Sequence, residues 1–146
     1  LLNRYHEGSP AVAFVRNFGL RDGAIASSVS HDYHNIIAVG TNDRDMAHAI
    51  NTVIDAKGGL SAVHRGKTFL LPLPVAGIMS DRDGPSVVAE SARLGHMVRK
   101  MGSSLHAPFM TLSFMALLVI PHLKIGDRGL FDADRFAYTE LFSPEG

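Results

Sequence analysis

Apolar positions recur at helical spacing in two stretches of the chain. Over residues 43 to about 56, Met46, Ala47, Ala49, Ile50, Val53 and Ile54 fall on one stripe, which predicts an amphipathic helix. Asn42 is placed to cap its first turn, and Gly58-Gly59 supplies a stop. A second helix is predicted from about residue 85 to 101. Pro85 suits its first position and Gly102 the position past its end. Val88, Ala92, Met97 and Met101 are expected on its apolar side, with Arg93, Arg99 and Lys100 solvated.

Elsewhere the pattern shortens to strand length. Residues 59–64 and 67–71 flank Arg65-Gly66, which reads as a tight hairpin. Residues 24–30 and 35–39 form a second expected pair, joined through a polar cluster. The segment 111–120 alternates at first and then becomes solidly apolar, which suits a buried strand or a buried helix. Residues 19–23 read as a turn whose glycines serve backbone conformation, and Asp127-Arg128-Gly129 as a turn with an ion pair. Hairpins beside separate helices predict an α+β fold. We expect one layered domain over 1–146, a mainly antiparallel sheet flanked by helices, with 143–146 as a frayed tail.

Composition narrows the function classes. Fourteen basic residues balance fourteen acidic ones, so no net field draws the chain to nucleic acid or an anionic membrane. Zero cysteines leave no disulfide and fit a cytoplasmic protein. The longest apolar run, 114–121, falls far short of the roughly 20 residues that span a membrane. Leu1-Leu2-Asn3-Arg4 does not read as the start of a signal peptide.

The polar cluster is His31-Asp32-Tyr33-His34-Asn35. Two imidazoles, a carboxylate, a phenol and an amide between apolar strands are costly to place unless each finds a partner. A plain turn has no need of His twice. A zinc site would require further ligands, and in an extended segment His31 and His34 would point to opposite faces. The cluster is therefore a candidate for proton transfer or ligand contact. A loop that merely satisfies its own hydrogen bonds is the plainer alternative.

The run from Gly23 through Asn35 closely resembles the carboxyl-terminal region of bacterial adenine deaminases of the amidohydrolase superfamily. The resemblance continues collinearly through Val39-Gly40-Thr41-Asn42-Asp43, Gly58-Gly59-Leu60 and residues 73–81. It then takes in Pro108-Phe109-Met110-Thr111-Leu112-Ser113-Phe114 and residues 120–132, and covers nearly all of 12–142. Two departures are small: Tyr33 stands where Ser is expected, and Gly126 where Thr is expected.

Such enzymes carry their metal ligands on a (β/α)8 barrel, with His-x-His on its first strand. None of the eight histidines here forms that pattern, and 146 residues is short of the about 200 that a barrel needs. The chain also begins without Met. It reads as the last portion of a larger enzyme, inactive alone. Manganese or iron would sit on the absent barrel, and no metal is expected on this fragment.

The resemblance implies hydrolysis of adenine, or a related aminopurine, to hypoxanthine and ammonia, with metals activating the attacking water. It also implies a homo-oligomer whose catalytic barrel is this domain's partner. The 31–35 loop is placed at the mouth of the active site as a wall or lid. His31 or His34 would shuttle protons, Asp32 would orient an imidazole and Asn35 would read a purine edge. Ser80-Asp81 follows an apolar strand and is a second candidate for substrate contact, against its use as a helix-start pair. The remaining histidines are read as structural or solvated. The competing functions are a non-catalytic structural or oligomerisation domain and a small-ligand binding domain.

Overall fold

A computed structural model describes residues 1–142; the expected frayed tail, 143–146, lies outside the described residues. The α+β expectation holds. Strands β1 (Ala24–Ser27), β2 (Ile37–Gly40), β3 (Gly59–His64) and β4 (Lys67–Pro72) form an antiparallel sheet in the order β2-β1-β3-β4. Helices α1 (Asp43–Asp55), α2 (Gly84–Lys100) and α3 (Pro108–Phe114) cover it. Strands β5 (Leu123–Gly126), β6 (Gly129–Asp132) and β7 (Ala137–Thr139) make a separate antiparallel sheet.

Alternation along β1 divides the core. Ala24 and Ala26 pack with Ala49 and Val53 of α1, whereas Ile25 packs with Leu94 and Val98 of α2 and Leu112 of α3. One helix thus covers one face of the sheet and two helices the other. Small residues let α1 approach closely: a Cβ at Gly40 would stand 2.4 Å from Met46.

Asn42 caps α1 as expected, accepting from the Asp45 amide at 2.9 Å. The left-handed residue after the helix is Lys57, with φ 60°, and not Gly58. Gly58 instead donates back to the Val53 carbonyl at 2.9 Å. Ala47 and Ile54, expected on the buried stripe, are exposed. The apolar side of α2 matches expectation at Met97 and Met101 and differs at Val88 and Ala92. Leu94, Val98 and Met101 are buried, whereas Val88 and Ala92 face solvent. The residue capping α2 is Asp83, which accepts from the Ser86 amide at 3.0 Å.

The segment 111–120 is neither a single strand nor a single helix. α3 ends at Phe114 and turns follow, with Ala116 buried. The turn at 127–129 joins β5 to β6, but its expected ion pair is absent among the described residues. The Asp127 carboxylate accepts from the Asn3 amide group at 2.8 Å instead. Strand β1 stops three residues earlier than the expected strand: Ser28 N–H still donates to the Gly59 carbonyl opposite it on β3, at 3.0 Å, but Val29 N–H turns back to Ser27 Oγ at 2.9 Å.

Candidate functional site

The loop between β1 and β2 leaves the sheet through three serines. Ser27, Ser28 and Ser30 are all buried and their hydroxyls all have partners. Ser30 Oγ donates to the Asn35 carbonyl at 2.7 Å, and the His34 amide donates to the Ser30 carbonyl at 2.7 Å. These two bonds close a tight loop that holds His34 at φ 49°. A left-handed non-glycine residue of this kind persists only where its surroundings impose it.

His31 is half-buried against α3. Its ring centroid lies 5.0 Å from that of Phe114, and its amide donates to Ser113 Oγ at 3.3 Å. The rings of His31 and His34 stand 6.3 Å apart, too far for a direct hydrogen bond. His34 is also half-buried, and its Nδ1 is enclosed without a hydrogen-bond partner. Asp32 is exposed and makes no hydrogen bond or ion pair with either ring among the described residues. Asn35 is buried, and its Oδ1 accepts from the Arg4 amide at 3.3 Å.

That last contact shows what the sequence reading missed. Arg4 and Tyr5, far from the loop in sequence, grip it. Tyr5 OH donates to the Tyr33 carbonyl at 3.0 Å. The Arg4 guanidinium lies over the Tyr5 ring, 4.9 Å from its centroid, and donates to the Ala76 carbonyl at 2.9 Å. Leu2 extends the edge of the sheet by pairing with Ile36 through bonds of 2.8 and 3.0 Å. The only signal in the sequence was an arginine beside a tyrosine, which singles out no partner.

Ser80 and Asp81 are not drawn into this arrangement. Ser80 Oγ accepts from the Arg82 amide at 3.2 Å, and Asp81 is exposed. Other histidines have local partners: His48 with Thr68, His64 with Asp22 and His122 with Asp134. Among the described residues no three His, Asp or Glu side chains converge to hold a metal ion, so the manganese or iron implied by the resemblance does not fit the residues present. Of two open cavities, of about 520 and 590 Å³, the second is lined by Arg4, Tyr5 and Ile36 beside the loop, but none of residues 31–35, 80 or 81 lines either.

A family model described as the adenine deaminase C-terminal domain matches residues 1–137. The chain belongs to this family. It is similar to proteins named adenine deaminase from Sulfurovum sp., at 55% identity over 141 residues, and from Salinibacter ruber, at 54% over 144. Another, from Methanosarcina acetivorans, is 49% identical over 145 residues. The matches take in 96, 97 and 99% of this chain but 26% of each relative. The part of the chain that matches the family model contains the His loop, α3 and the Arg4-Tyr5 segment that grips the loop. Among the described residues no helix is long and apolar enough to cross a membrane.

Proposed function

We propose that this chain is the carboxyl-terminal part of a metal-dependent, cytoplasmic adenine deaminase, an amidohydrolase that converts adenine to hypoxanthine and ammonia. The observation that carries this reading is the family match over residues 1–137, a span far longer than any short pattern. Metal binding is assigned to the remainder of the parent chain, because no ligand set occurs among the described residues. Assembly of the parent into a homo-oligomer belongs to the same reading.

Within the parent, the 31–35 loop forms a wall or lid at the mouth of the active site. His34 is the residue best suited to proton transfer, since its ring is half-buried and its Nδ1 lacks a partner inside this domain. Because Nδ1 is enclosed, contact with a substrate or a bridging water falls to Nε2, which makes no hydrogen bond among the described residues. His31 is held for contact by Phe114, Asn35 supports the loop through Arg4, and Asp32 projects outward to meet whatever lies opposite. Ser80 and Asp81 remain secondary candidates for substrate contact.

The bracing bonds Ser30–Asn35 and Arg4–Asn35 favour a second reading, in which the loop only stiffens the fold. His34→Gln in the full-length parent separates the two. Gln keeps size and hydrogen bonding but does not titrate. Proton transfer by His34 predicts a fall in adenine turnover of about 10²-fold or more with little change in melting temperature. Normal turnover per folded molecule, with a lower melting temperature, establishes bracing alone. This chain by itself, incubated with adenine and manganese or iron, should form no hypoxanthine; turnover comparable to the parent's would overturn the division of labour.

A further inference from the structure

Large apolar side chains are exposed together along the edge of the His loop. α3 buries Leu112 and Ser113 but leaves Met110 52% and Phe114 41% exposed. Four residues apart, those two lie on one side of the helix. Phe114 packs on the His31 ring, and Tyr33, two residues further along the loop, is 64% exposed. Helix and loop thus present one continuous surface, apolar on α3 and polar at His31 and Asp32. Other exposed aromatic groups differ. Phe136 and Tyr138 each pack edge-on against Phe131, and Phe14 packs on Phe142, whereas Tyr5, also exposed, has its hydroxyl tied to the Tyr33 carbonyl.

We infer that the outward face of α3 and residues 31–33 dock against the remaining three quarters of the parent chain. Met110 and Phe114 serve as the apolar anchors, and His31 and Asp32 lie at the rim of the cleft so formed. The inference rests on the reading of this chain as part of a longer adenine deaminase. Three observations favour that occupant. The matched relatives extend well beyond this domain, which covers 26% of each. Residues 31–33 line neither of the two cavities described, so a cleft on their outer side would be completed by an opposing surface. The exposed apolar patch adjoins that same loop, and a patch rimmed by polar groups marks an interaction surface. A second copy seated here would instead cover the loop and close it off from the catalytic part.

Peroxide oxidation of methionine in the full-length parent, read peptide by peptide by mass spectrometry, tests this directly, because oxidation tracks exposure. Docking predicts that Met110 oxidises at least about tenfold more slowly in the native parent than in urea-denatured parent, unchanged on dilution. In the Phe114→Glu parent the rate at Met110 should rise toward the denatured value. A native rate near the denatured one overturns the inference, as does protection that survives Phe114→Glu. Protection that disappears on dilution assigns the face to a second copy and overturns it equally. Adenine turnover by the same preparation is a separate readout: an active parent with unprotected Met110 rejects the docking alone, and an inactive parent with protected Met110 rejects the catalytic reading alone.

Discussion

The hydroxyl of Ser30 donates to the backbone carbonyl of Asn35 at 2.7 Å, across the base of the loop that carries both imidazoles. The return bond, from the His34 amide to the Ser30 carbonyl, makes Ser30 the residue that sets the loop's shape. Buried Ser30 and Asn35 fix the geometry, while the more exposed residues between them are left free for contact. Conformation and exposure are thereby divided between different side chains of one short segment.

Ser30→Ala should therefore destabilise the fold out of proportion to its size. It removes one hydrogen bond and leaves the buried Asn35 carbonyl without its hydroxyl partner, which costs about 1–3 kcal/mol. Urea denaturation measures it. A loss below about 0.5 kcal/mol would mean that another group takes over the carbonyl.

How far the sequence disclosed this arrangement depended on the range of the interactions. α1 was legible because its apolar period and its cap are local, and Asn42 does cap it. The hairpin at Arg65-Gly66 was legible for the same reason: both residues adopt positive φ, as a tight turn demands. The boundaries of β1 and β2 were not, since buried serine hydroxyls there replace ladder partners. Strands β5 to β7 run three or four residues each, too short for a periodic signal. α3 was ambiguous from its apolar run; burial of Leu112 and Ser113 against the sheet decides it. The His cluster stood out by composition, but its grip by Arg4 and Tyr5 spans 28 to 31 positions and leaves no local trace.

That grip gives a second prediction. Arg4→Met removes the bond to the Ala76 carbonyl and the charge stacked on Tyr5. Global stability should fall by about 1 kcal/mol, the net worth of a hydrogen bond to a charged donor at a partly exposed site. Local opening should change more. The Ile36 amide, bonded to the Leu2 carbonyl at 3.0 Å, should exchange with solvent about tenfold faster, by release of the segment from the sheet edge. Unchanged exchange at Ile36 would show that the Leu2 pairing holds without Arg4.

A third prediction concerns acid. The Asp83 carboxyl caps α2 and is held below the usual carboxylate range, first by the hydrogen bond from the Ser86 hydroxyl and then by the Ser86 amide. Its pKa is thus lower folded than unfolded, so its stabilisation is present above the unfolded value and is lost as pH falls through the folded one. Asp83→Asn retains the acceptor but not the titration. Its stability should decline less steeply than the wild type's as the pH drops below about 4. Superimposable acid limbs for the two proteins would remove Asp83 from the acid response.

The last prediction tests one close approach of the backbone to itself. Gly58 follows α1 at φ 130°, and a Cβ there would stand 2.3 Å from Gly77 Cα and 2.7 Å from Gly77 O. Neither backbone can retreat easily. Buried Ser28 Oγ donates to the Gly77 carbonyl at 2.5 Å and accepts from the Gly59 amide at 2.7 Å, pinning both segments. Gly58→Ala adds overpacking to an unfavourable backbone conformation and should cost about 3 kcal/mol or more. Gly66→Ala is the matched control: it also has positive φ, at 73°, but a Cβ there meets nothing within 4 Å. Conformational strain alone should then cost about 1 kcal/mol. Chemical denaturation of both variants sets the contributions apart, since the difference between them reports the Gly58–Gly77 contact together with the greater strain of φ 130° over φ 73°. Equal losses would show that the 75–79 turn moves aside at little cost, and that Ser28 does not hold it.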